Sequence, residues 1–229
     1  FFTFGFSSFM DLVIKDIQAN DLRGSELELL LKGQATIKLY ESLRDQSVAG
    51  FFTSPAVALL FPVENTETGH WIGMWVDNAT RTVHHFDPYG FGPSMEDKFS
   101  HSPLVRDALL ESFYATAEAE GYNIQYNNFR FQLLENSMNT CGRHVIVRLR
   151  MRYLSHAQYV ALMSEQKNSP DEMVTLLTFL ALDEDETAHA LVSRITAGRA
   201  GPSTRTQTYA QSSELIGHTV PSKIGRAHV

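Results

Sequence analysis

The spacing of apolar positions changes several times along the chain, and each change marks an element. Residues 12 to 50 contain LELLLKGQATIKLYESL, whose apolar residues recur at helical spacing and predict one or two helices. Phe51-Phe52-Thr53-Ser54-Pro55 breaks that pattern. AVALLFPV then runs apolar without interruption for the length of one strand, as a buried strand does. Beyond the polar turn ENTETG, Trp71-Ile72-Gly73-Met74-Trp75-Val76 and Thr82-Val83-His84-His85-Phe86 flank the tight turn Asp77-Asn78-Ala79-Thr80, which predicts a hairpin. Asp87-Pro88-Tyr89-Gly90-Phe91-Gly92-Pro93 suits neither strand nor helix and reads as a loop leaving the strand end. Ser102-Pro103 opens a helix, LVRDALLESFYATAEAE, that Gly121 stops, and Tyr122 to Tyr126 follow as a short strand. A polar loop from Asn127 to Thr140 leads to Cys141, after which Val145, Ile146, Leu149 and Tyr153 share one helix face. Two further helical segments are expected around His156 to Glu165 and Asp171 to Leu182.

The order of helices, a small sheet, then helices predicts an α+β fold with a small, mostly antiparallel sheet flanked by helices. Organisation follows from it: an N-terminal helical segment over 1–50, a main domain over 51–196 with its core at about 51–155, and a tail over 197–229 that is rich in Ser, Thr, Gly and Gln without apolar period, as disordered tails are. The last six residues, IGRAHV, are what one reading frame of a common sequencing-adapter oligonucleotide encodes, and they are set aside. A start at Phe1 rather than Met is expected of a fragment.

The formal charge of −7 argues against a nucleic-acid surface as the main business of the chain. No apolar run approaches the roughly 18 residues that cross a bilayer. One cysteine, Cys141, cannot form an internal disulfide or a Cys/His metal box, and a reducing setting suits it. On composition alone such a residue is a small buried hydrophobe.

Its neighbours change that picture. His70 stands at the mouth of one predicted strand and Asp87 at the end of the next, and adjacent strands lie about 4.8 Å apart. Cys141 stands at the first turn of a helix, where the dipole favours a thiolate. A histidine in contact would assist further, and a carboxylate would hold the imidazole in the right tautomer. Gly142 would leave room for a substrate backbone. Each feature alone has a plain structural reading: a strand histidine, an Asp-Pro turn, a packed cysteine. Arg143, Arg148, Arg150 and Arg152 are expected on a solvated helix face.

Together, GHWIGMWVD, VHHFDPYGFGP, Gln132 and MNTCGRH resemble the adenovirus-type maturation proteases and the related Ulp1/SENP proteases of ubiquitin-like proteins, and the Pro-Gly-aromatic run after Asp87 looks closer to the viral branch. The resemblance covers roughly residues 50 to 155. It implies a papain-like (adenain-like) fold in permuted order, with Cys141 as nucleophile, His70 as general base, Asp87 as its partner and Gln132 as an oxyanion donor. The family places that glutamine six or seven positions before the cysteine, whereas Gln132 is nine before; either the loop carries two extra residues or Asn136 supplies the donor. Trp71 would flank a narrow channel for small residues such as glycine before the scissile bond, or else face the core. The implied function is an endopeptidase for viral or mobile-element precursors, inside a host cell or packaged in a virion, with a protein or peptide substrate, no cofactor and no metal. Viral relatives can use an activating peptide, for which these residues give no independent support. A deconjugating protease for SUMO-like or ubiquitin-like modifiers, an acyltransferase and a non-catalytic binding module are the alternatives.

Overall fold

The computed structural model describes residues 14–63, 68–94, 107–135, 138–165, 167–183 and 227–228. After a helical stretch at 14–19, helix α1 (Gly24–Leu31) turns Leu27, Leu30 and Leu31 inward and ends where Lys32 and Gly33 take positive φ. Strand β1 (Thr36–Leu39), a 3-10 turn (Tyr40–Leu43) and helix α2 (Val48–Phe51) lead to strand β2 (Ala56–Pro62). Strands β3 (Thr68–Asp77) and β4 (Thr82–Phe86) form the expected hairpin. Helix α3 (Leu109–Ala119), strand β5 (Asn123–Tyr126) and helices α4 (Cys141–Arg150), α5 (His156–Ser164) and α6 (Pro170–Asp183) complete the order. Ser102 and Pro103, Asn136 and the region from 197 to 223 lie outside the described residues.

The fold is α+β, with five strands in the order β1-β2-β3-β4-β5. The two inner pairings are antiparallel, but β1 with β2 and β4 with β5 run parallel, so the sheet is mixed rather than mostly antiparallel. Both parallel pairs are joined by a connection that carries a helix, α2 in one case and α3 in the other, and such a crossover returns the chain in the same direction. Ala227 and His228 pair antiparallel with Gly69 and Thr68.

Strand β2 is buried throughout because both faces of the sheet are covered. Ala56, Ala58 and Leu60 pack with Trp71, Trp75 and the helices α1, α4 and α6; Val57, Leu59 and Phe61 pack with Ile72, Met74 and α3. Two expectations need correction. The segment up to residue 50 is not wholly helical, since Thr36–Leu39 pairs with Val57–Leu60 and becomes a sheet edge. The arginines of α4 are not a solvated face either: Arg143, Arg148 and Arg150 are all buried. Arg148 lies over the rings of Trp75 (4.5 Å) and Tyr159 (4.7 Å) and donates to the carbonyls of Met151 and Leu154 beyond the helix end. Arg143 donates to Thr178 Oγ1.

Among the described residues no helix is long and apolar enough to cross a membrane.

Candidate active site

Strand β3 carries His70 past the end of β4, whose last ladder pair is Gly73 with Phe86. The chain leaving β4 therefore turns beside His70. Asp87 begins that turn, and its shape is set from both sides. Gly90 N–H donates to Asp87 O, and Phe131 and Gln132 N–H both donate to Pro88 O. Gly90 has φ +76°, and a Cβ there would lie 2.8 Å from Phe129 O, so only glycine fits without movement.

Asn127 completes the clamp. Its Oδ1 accepts from Asp87 N–H at 2.8 Å, and its Nδ2 donates to Asp87 O at 2.7 Å and to Phe129 O at 3.1 Å. The carboxylate is thus presented at one place, where Oδ1 accepts from Tyr89 N–H (2.6 Å) and from His70 Nε2–H (3.1 Å). The Tyr89 ring stacks on the His70 imidazole at 4.7 Å between centroids. His70 is 4% exposed and Asp87 fully enclosed, so the pair is shielded from water.

With Nε2 engaged by Asp87, Nδ1 is the ring nitrogen left without a nitrogen or oxygen partner. Cys141, at the first position of α4, lies near enough for its sulfur to act on the imidazole electrostatically. Burial by itself would push His70 down; the Asp87 charge and hydrogen bond, with a smaller contribution from the Cys141 thiol, outweigh it and lift His70 from 6.5 to about 10. His70 therefore carries its proton throughout the neutral range.

The three residues singled out at strand ends and helix start are thus brought together. Gln132 is also drawn in: it is fully buried, and its Nε2 donates to Met138 O at 2.9 Å across the loop that leads to Cys141. Trp71 and Gly142 are walled into the core. A Cβ on Gly142 would lie 3.0 Å from Leu27 Cδ1 and 3.3 Å from Trp71 Cδ1, so the small residue there serves close packing of α4 on α1 and β3, not an open approach for a substrate backbone.

Residues from the N-terminal stretch cover the same place. Asn139 N–H donates to Gln18 O (2.8 Å), Asn139 Nδ2 donates to Ala19 O (2.7 Å), and Leu22 packs in the cluster that holds Cys141. Cys141 is 1% exposed as a result.

Two polar residues of this region were not picked out from the sequence. Asn127 gives only the faint sign of an Asn-Asn pair after a short strand. Asp171 follows Ser169-Pro170, where Ser169 and Glu172 already cap α6 reciprocally, so a second acid in that turn is spare. Among the described residues no group of three or more His, Cys, Asp or Glu side chains could hold a metal ion.

No protein-family model matches the chain. Over 159 residues, 65% of this chain and 89% of the other, it is 26% identical to "Uncharacterized protein V9" of the Sputnik virophage. Solved structures similar to it include the central domain of the uncharacterized Lpg1148 protein from Legionella pneumophila, with a TM-score of 0.39 and 14% identity over 72% of this chain and 99% of that one. A de-sumoylating protease aligns with a TM-score of 0.33 and 14% identity over 81% of this chain and 82% of its own. At those scores the likeness is remote, and the reading of the site rests on its own geometry.

Proposed function

We propose that the chain is a cysteine peptidase of the permuted papain-like kind, with Cys141 as nucleophile, His70 as its acid–base partner and Asp87 as the group that orients His70. One observation carries the reading. A single buried imidazole is bonded to a carboxylate through Nε2 and is raised in part by the only cysteine of the chain, the arrangement that nucleophilic thiol catalysis needs.

The sulfur, its proton passed to His70, attacks the carbonyl carbon of the scissile amide. An S–C bond forms and the carbonyl oxygen takes the negative charge. The Cys141 backbone N–H at the start of α4 faces that charge, and the Gln132 amide, which bonds Met138 O across the same loop, supplies the side-chain donor. Collapse breaks the C–N bond, and His70 gives its proton to the leaving amine. Water then attacks the thioester, losing a proton to His70, and the acid leaves as the thiol re-forms. The likeness to a virophage protein supports a viral or mobile-element setting; the substrates we propose are precursor proteins of that element.

The test is a peptide-library digest read by mass spectrometry, with wild type, Cys141→Ala and His70→Ala side by side. Cleavage by the wild type and none by the two variants, both still folded by circular dichroism, is the expected result. Equal cleavage by Cys141→Ala sinks the proposal.

A further inference from the structure

Asp171 ties together the two ends of the segment that faces the reacting carbonyl. Its carboxylate is 1% exposed and belongs to α6, yet α6 does not use it as a cap, because Ser169 and Glu172 serve there. Oδ2 accepts from Leu133 N–H at 3.0 Å, the residue next to Gln132. Oδ1 accepts from Thr140 Oγ1–H, the residue before Cys141, and from His144 Nε2–H at 2.9 Å, one turn into the same helix. The loop from Gln132 to Cys141 therefore begins and ends on one carboxylate. Gln132 itself stitches across it to Met138 O.

Leu133 and Thr140 share one carboxylate, so the two ends of the loop are held relative to each other by Asp171. Three hydrogen bonds from two separate stretches of chain hold a buried carboxylate more firmly than packing alone would require of it.

We propose that Asp171 is a positioning residue that fixes the Gln132 and Cys141 donors relative to one another for the oxyanion; this rests on the peptidase reading above. The imidazole itself is held by Asp87 and, through Asp87, by Asn127, so its orientation does not depend on the Asp171 carboxylate.

The experiment uses the full chain and two probes, p-nitrophenyl acetate for acyl transfer and iodoacetamide for the bare thiol. In Asp171→Asn and in Thr140→Val the kcat for the ester is expected to fall about 10- to 100-fold with KM nearly unchanged, the size of effect that a misplacement of about 1 Å produces. Alkylation of Cys141 by iodoacetamide is expected to stay within about threefold of wild type, because it needs no oxyanion donor. Thr140→Ser keeps the hydroxyl and is expected to restore kcat. If Asp171→Asn does not fold, the Thr140 pair decides the matter alone. Wild-type kcat in folded Thr140→Val, or alkylation falling in parallel with kcat, overturns the positioning role. Ester hydrolysis by Cys141→Ala equal to wild type overturns the peptidase reading instead, and this proposal with it.

Discussion

His70 donates its Nε2–H to Asp87 Oδ1 across 3.1 Å, and neither side chain is open to water. The contact has a consequence for stability as well as for chemistry. His70 is raised to about 10 in the fold, against 6.5 for the ordinary side chain, with Asp87 the main cause that overcomes burial. The stabilisation it brings is complete below about pH 6.5 and is lost as pH rises through about 10. Urea denaturation between pH 7 and 10.5 is expected to show that alkaline loss in the wild type and a flatter profile in Asp87→Ala. The same variant is expected to lose catalysis by a factor on the order of 10² to 10⁴, since the imidazole no longer has a fixed tautomer. Unchanged turnover in Asp87→Ala would remove Asp87 from the site.

Asn127 is expected to matter nearly as much without touching any reacting atom. It is 40 residues from Asp87 in sequence and bonds both the N–H and the C=O of that residue. Asn127→Ala removes three hydrogen bonds in a buried place, which costs about 2–4 kcal/mol. Asn127→Asp keeps the acceptor for Asp87 N–H but sets a buried carboxylate oxygen against the carbonyls of Asp87 and Phe129, so a cost at least as large is expected. Urea midpoints of the two variants, with turnover measured on the folded fraction, check the ranking. Equal stability for all three proteins would show that the turn at 87–90 holds itself.

What could be read from the sequence divides along local and non-local lines. The hairpin, the strand end at Asp87 and the helix start at Cys141 are each announced by residues within a few positions, so His70, Asp87 and Cys141 could be picked out without the fold. Strand β1 could not. TIKL sits within a run of helically spaced apolar residues, and it becomes a strand only because Val57–Leu60 offers it a partner. The same holds for Asn127 and Asp171, polar residues whose partners lie 27 to 40 residues away. Arg148 misled for a different reason. Arginine is ordinarily exposed, and its place here follows from the faces of Trp75 and Tyr159, neither of which marks the sequence near it.

Acid sensitivity is expected from three other histidines. Burial, with the Arg148 charge adding to it for two of them, lowers His84 and His85 to about 4 and His156 to about 3. A histidine lowered in the fold contributes its stability above the unfolded value of 6.5 and loses it as pH falls from there toward the folded value. The urea midpoint is therefore expected to drop between pH 7 and pH 4.5. His84 stacks flat on Trp75 at 4.6 Å, so His84→Phe keeps the stack while removing one titrating group. That variant is expected to have a shallower acid limb, and an identical limb would show that His84 is not part of the cause.

The last prediction concerns how the thiol is reached. Cys141 is enclosed by a stretch to which the loop before it bonds through Asn139, with N–H donating to Gln18 O and Nδ2 to Ala19 O. Leu22 adds packing on the same side. A reagent such as iodoacetamide must wait for this stretch to move, so the alkylation rate of the wild type reports local opening multiplied by thiol reactivity. Asn139→Ala removes the side-chain bond and is expected to speed alkylation by about three- to tenfold, because one lost hydrogen bond is worth about 0.5–1.5 kcal/mol of opening. His70→Ala in the Asn139→Ala background separates the two factors: access stays high while reactivity falls, and the rate drops below that of Asn139→Ala alone. If Asn139→Ala leaves the rate at the wild-type value, the stretch at 18–22 does not limit access to Cys141. If His70→Ala leaves the faster rate intact, the imidazole does not activate the thiol.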